Sequence, residues 1–255
     1  YADLVTSRRP PGWDVVVEKV LSLQPRVADM LLLRHPDGER HDDKARVMRG
    51  LWQHLTSTVL LEFKGPTAGL RQRDLSNLLS YGVEYLAKDE CPIVHHDELS
   101  LVLVVPRETP TLLREYEHCK LTPEPLKDGY VRLLGMPYTV LVVLLDQVAD
   151  AERDDYLKLF TAKFEHIQDY EALAWAQSWL KTDRKDMEHL KHLEGYEDLV
   201  RDFAKHFGKL ALVDYATPEE RRAMLDHMAP EERLAGLSPA QILAGLSPEV
   251  REQLL

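Results

Sequence analysis

Two short runs of this sequence place charge among apolar residues. Val59-Leu60-Leu61-Glu62-Phe63-Lys64 ends a hydrophobic stretch with an acid and a base one residue apart, and Val27-Ala28-Asp29-Met30-Leu31-Leu32-Leu33 carries an acid inside another. On a strand, residues two apart share a face, so Glu62 and Lys64 project together. A carboxylate in such surroundings is costly unless a cation or hydrogen-bond donor compensates it. Asp29 and Glu62 together would offer hard oxygen ligands to a divalent ion, the coordination Mg²⁺ prefers, with the backbone carbonyl of Phe63 as a further oxygen. Lys64 would orient or deprotonate an attacking water and support charge on a phosphate. A surface pair at a strand end competes as a reading for Glu62 and Lys64, and a strand-edge or capping acid for Asp29. The placement of Asp29 in a matching strand favours the catalytic reading.

The elements that must position these residues follow from periodicity and turn chemistry. Trp13–Leu23, stopped by Pro25, predicts a short helix, with Glu18 and Lys19 in mid-run. Arg26–Arg34 predicts a strand closed by His35-Pro36-Asp37-Gly38, and Lys44–Leu55 a helix. Thr58–Phe63 predicts a strand ended at Gly65-Pro66, and Leu70–Lys88 an amphipathic helix. Further strands are expected at Leu99–Val105, Tyr130–Leu134 and Tyr138–Leu145, with a helix at Thr111–Cys119 entered through Pro110. This order describes an α/β domain over residues 1–148, followed by a helical region over 149–216.

Residues 217–255 differ. Thr217-Pro218-Glu219-Glu220, Ala229-Pro230-Glu231-Glu232, Leu237-Ser238-Pro239 and Leu246-Ser247-Pro248-Glu249 recur at steps of 12, 9 and 9. Each places a cap and a proline at the start of a short helix. Such units cannot bury their leucines alone, so the tail is expected to mediate self-association into a homo-oligomer or docking of a protein partner.

An acid on one strand followed by Glu-x-Lys at the end of the next resembles the PD-(D/E)xK nuclease superfamily. The resemblance spans about residues 13–105. It implies a restriction-endonuclease-like core, a mixed central sheet flanked by helices. It also implies hydrolysis of DNA phosphodiester bonds with Mg²⁺ as cofactor and Mn²⁺ as substitute, Asp29, Glu62 and Lys64 being catalytic. Glu18 falls where many members carry a supporting glutamate on the preceding helix. Asn77-Leu78-Leu79-Ser80-Tyr81 has the spacing of the Gln-x-x-x-Tyr helix motif, which assigns supporting roles to Asn77 and Tyr81. Ala28-Asp29 with Leu60-Leu61-Glu62-Phe63-Lys64-Gly65, and the proline-capped tail, are similar to the bacterial recombination-promoting nuclease or transposase-like subgroup. That similarity implies a setting in recombination, mobile-element or defence biology.

Bulk charge narrows the partners. The chain carries 32 Lys+Arg against 43 Asp+Glu, a net −11, so it cannot coat nucleic acid by overall charge. Residues 1–110 hold 14 basic and 16 acidic side chains, and residues 111–255 hold 18 and 27. DNA should therefore meet a local basic surface in the first half, for which Arg71 and Arg73 are the expected contacts. The acidic second half supports the alternative of a non-catalytic nuclease-fold module that docks a protein partner. Two cysteines, Cys91 and Cys119, fit free thiols in a reducing cytoplasm and exclude a four-cysteine zinc site. The longest apolar stretch, Tyr138–Leu145, stops at Asp146, so no membrane span is expected.

Overall fold

Continuous apolar runs such as Leu101–Val105 suit strands covered on both faces, and they form the centre of the sheet. The computed structural model describes residues 1–20, 27–35, 44–66, 69–88, 91, 93–161, 163, 167–182, 192–207 and 222. The strands are β1 (Trp13–Val20), β2 (Val27–Arg34), β3 (Thr58–Phe63), β4 (Leu99–Val105), β5 (Thr122–Pro125), β6 (Tyr130–Leu134) and β7 (Thr139–Leu144). They make one seven-stranded sheet in the order β1-β2-β3-β4-β7-β6-β5. β3, β4 and β7 run parallel, and the flanking pairs are antiparallel. The protein is thus α/β with a mixed sheet flanked by helices.

The helices are α1 (Ala2–Arg8), α2 (Asp74–Leu86), α3 (Pro110–His118), α4 (Leu145–Glu152), α5 (Asp155–Lys158), α6 (Tyr170–Thr182) and α7 (Tyr196–Phe207). Leu75, Leu78 and Tyr85 of α2 and Leu112 and Tyr116 of α3 share a core with Leu60, Leu101, Leu103 and Val105 of the sheet. The alternate residues Val59, Leu61, Val102 and Val104 are buried on the opposite face. Gly82 lets α2 lie close on β4, since a Cβ there would stand 2.9 Å from Leu101 Cδ1. Thr109 caps α3, its hydroxyl accepting the Leu112 amide at 3.2 Å, with Pro110 in the first turn.

The helix expected at Trp13–Leu23 is instead β1, paired antiparallel with β2 from Trp13↔Arg34 to Val20↔Val27. Its β-branched Val15-Val16-Val17 favour the pleat, and an edge strand can leave Val16 and Val17 about half exposed. Lys44–Leu55 forms bends and turns with a 3₁₀ turn at Trp52–His54 rather than an α-helix. Met48 there has a left-handed φ of +45°, and the indole of the buried Trp52 donates to the Val47 carbonyl at 2.8 Å. β5 is an exposed edge strand whose two prolines leave fewer amides for further pairing.

The chain divides into two units, Tyr1–Glu165 with His192–Gly195, and His166–Lys191 with Tyr196–Leu255. In the second, Asp202 on α7 is buried and accepts the Ile167 amide at 2.9 Å, while Tyr170 on α6 meets Phe207 with ring centroids 5.4 Å apart. The repeat tail at 217–255 lies outside the described residues, apart from Arg222. No described helix is long and apolar enough to cross a membrane.

Candidate active site

The site is built where the β2–β3 ladder stops. Their pairing runs from Leu33↔Thr58 to Met30↔Leu61, and one further step would set Asp29 beside Glu62. That step is not taken. Asp29 Oδ2 accepts the Phe63 amide at 2.8 Å, so a side chain satisfies a donor that the diverging strands would orphan. On the other side of β2, the register passes from Val17↔Met30 to Lys19↔Ala28, which brings Glu18 opposite Asp29. Glu18 has φ +54°, a strained conformation for a side chain of its kind. Glu18 thus faces Asp29 across β1 and β2, while Glu62 stands one residue beyond the last β2–β3 pair, at the carboxyl end of parallel β3.

Glu18 is exposed and sits on a strand, not on the helix the resemblance implied. Glu62 is buried, at 8% exposure. Its Oε1 accepts from Lys64 Nζ at 2.7 Å, while its Oε2 is buried with no hydrogen-bond partner. Lys64 remains tied to the sheet through its amide, which donates to the Val104 carbonyl at 2.9 Å. Its Nζ lies 3.7 Å from Asp74 Oδ1 at the start of α2.

The electrostatics follow from this crowding. Burial pushes the Asp29 carboxyl above its ordinary range, against the Phe63 amide and Lys64, and the charge of Glu18 adds to the rise. Burial also raises Glu62; the Lys64 hydrogen bond and charge and the Asp29 amide oppose this, and the charge of Asp29 reinforces it. Burial works against the Lys64 ammonium, but the bond to Glu62 and the charges of Glu62, Asp74 and Asp29 outweigh it and hold its pKa up. The buried Glu62 and half-buried Asp29 carboxylates are thus only partly neutralised by one ammonium. A divalent cation suits that imbalance.

Among the described residues, no three His, Cys, Asp or Glu side chains gather closely enough to cage a metal. Mg²⁺ does not need such a cage, because it commonly uses one or two carboxylates and keeps several waters. A cleft of about 290 Å³ opens beside Asp29, lined by Tyr1, Val17, Glu18, Met30 and Phe63 among others. Phe63 is stacked on Tyr1, with ring centroids 4.0 Å apart.

The other expected residues lie along α2 and the turn before it. Arg71 and Arg73 are exposed and precede the helix, Arg73 being its N-cap at φ +77°. Asn77 is exposed on the first turns of α2. Tyr81 is half-buried and packs against the core between α2 and the sheet. The structure thus joins Asp29 to Phe63 and Glu62 to Lys64. Sequence reasoning missed Asp74, whose signal is an acid at the first position of a helix just after Arg-Gln-Arg.

Compared with protein-family models, curated proteins and solved structures, the chain matches none.

Proposed function

We propose that this chain is a metal-dependent nuclease of the PD-(D/E)xK kind, with a restriction-endonuclease-like core that hydrolyses DNA phosphodiester bonds. The observation that carries the reading is the buried Glu62 carboxylate, bonded to Lys64 Nζ at 2.7 Å and near enough to the Asp29 carboxylate that the two charges oppose each other. Two like charges held together away from full solvent are costly, a cost a fold retains where function uses the groups. Asp29, Glu62 and the Phe63 carbonyl would hold Mg²⁺ or Mn²⁺. The ion would supply charge stabilisation at the phosphate and a lowered pKa for bound water.

The chain's own residues do the rest. Glu62 fixes the Lys64 ammonium at 2.7 Å, leaving its other protons to orient a water or meet a phosphate oxygen. The Asp29 bond to the Phe63 amide holds the end of β3 in place without a ligand. Arg71 and Arg73 offer exposed guanidinium groups to flanking phosphates. The tail supplies self-association or a docking surface, and the resemblance suggests recombination, mobile-element or defence biology.

The test is incubation of supercoiled plasmid with the full chain and Mg²⁺ or Mn²⁺, with and without chelator. Cleavage should require the ion and fall by orders of magnitude in Glu62→Gln. If Glu62→Gln and Asp29→Asn both keep full metal-dependent activity, the site is wrong. A folded chain that never cleaves supports the protein-docking alternative.

A further inference from the structure

We infer that Asp74 is a positioning residue whose single carboxylate ties Lys64 to the Arg71–Arg73 turn, coupling the groups that meet the DNA backbone to the group beside the scissile bond. This rests on the nuclease reading above and assigns a role to a residue outside the motif. Asp74 Oδ1 lies 3.7 Å from Lys64 Nζ, and its Oδ2 accepts the Arg71 amide at 2.7 Å. The Asp74 amide returns a bond to the Arg71 carbonyl at 3.2 Å, closing the turn.

The need for such a residue is visible in the backbone. α2 starts from Arg73, which has a left-handed φ of +77° and no capping hydrogen bond from its side chain. Helices ordinarily start from Ser, Thr, Asp or Asn, which satisfy the first free amides. Here Asp74 reaches back to the Arg71 amide instead and holds a turn whose backbone is otherwise unfavourable. The Asp74 side chain is 14% exposed and that of Lys64 is 20% exposed, so the contact is shielded from solvent. Lys64 is thereby held from two sides, by Glu62 on its own strand and by Asp74 on the next helix.

The two oxygens make the roles separable. In Asp74→Asn the amide oxygen still accepts from Arg71, but the charge facing Lys64 is gone. In Asp74→Ala both contacts are lost. Three quantities are measured on the full chain: kcat for plasmid cleavage in Mg²⁺, affinity for a fluorescein-labelled DNA duplex in chelator, and hydrogen exchange of the Arg71 amide. Both variants should lower kcat about tenfold, the usual effect of losing a partner that orients a site residue. Only Asp74→Ala should weaken duplex binding several-fold and speed Arg71 exchange; Asp74→Asn should bind within twofold of wild type. A residue that merely stabilised the helix would move all three quantities together. Wild-type kcat in Asp74→Asn, with Glu62→Gln inactive, overturns the inference and leaves the nuclease reading standing. A wild-type chain without metal-dependent cleavage overturns that reading, and the inference with it.

Discussion

Asp29→Asn should stabilise the fold without metal and destabilise it, relative to wild type, with metal. The amide oxygen can still accept from the Phe63 amide, which Asp29 Oδ2 does at 2.8 Å, so the local geometry survives. What disappears is a charge that burial and the opposed Glu18 disfavour. The sign follows from proton linkage. With the folded pKa raised, the folded protein keeps a proton at Asp29 that the unfolded chain has released. Wild-type stability therefore falls as pH rises from the ordinary 3.8 through the raised value. Asn avoids that loss, so its advantage is full above the raised value and vanishes below the ordinary one.

Neutralising one functional site residue of this kind gains about 1 kcal/mol, or roughly 2–4 °C in Tm for a domain of this size. Metal binding works in the opposite direction. An ion that binds only the folded wild type, at a hundredfold over its Kd, adds about 2.7 kcal/mol. Thermal unfolding at pH 7 should show Asp29→Asn melting above wild type in chelator and below it in excess Mg²⁺ or Mn²⁺. The reasoning fails if the variant melts lower in chelator, or if the ion raises both proteins equally.

Replacing Arg71 and Arg73 together by Ala should weaken duplex binding and reduce the slope of log K against log salt by about 2, measured by anisotropy over a salt series. Tyr116→Phe should be neutral or stabilising by about 1 kcal/mol in urea unfolding, because the Tyr116 hydroxyl is buried with no hydrogen-bond partner. Glu152→Ala should cost about 2–4 kcal/mol in the same assay. The buried carboxylate accepts the amides of Arg49 and Gly50, each at 2.8 Å, and the Tyr130 hydroxyl at 2.7 Å, and truncation removes all three bonds at once.

The central strands were legible because burial on both faces leaves a plain record. Thr58–Phe63 and Leu99–Val105 occur with the bounds their apolar runs suggest, and α2 and α3 follow their amphipathic spacing. The edges were not legible. Trp13–Val20 mixes valines with Asp14, Glu18 and Lys19, and only its pairing with β2 decides for strand over helix. β5 consists of Thr-Pro-Glu-Pro, which pairs on one side only and has no apolar signature. At the site, the Glu62–Lys64 contact followed from strand period alone, whereas the Asp29–Phe63 bond and the link from Lys64 to Asp74 depend on register and helix placement. Periodicity within one segment carries neither.

The register that ends at Met30↔Leu61 also determines which changes in length the site can absorb. The segment between β2 and β3 can gain or lose residues at little entropic cost, since loop closure depends only weakly on length. A one-residue deletion within β2 is another matter, because it moves every later side chain of the strand to the opposite face. Deleting Met30 would turn Asp29 away from the Phe63 amide, or else displace Leu31 and Leu33 from the face they share with it. Length changes between the two strands should therefore divide by position: those within β2 or β3 abolish the site, and those that shift Val47, Met48, Leu51 or Trp52, all buried in the connecting segment, cost core packing while leaving the register alone.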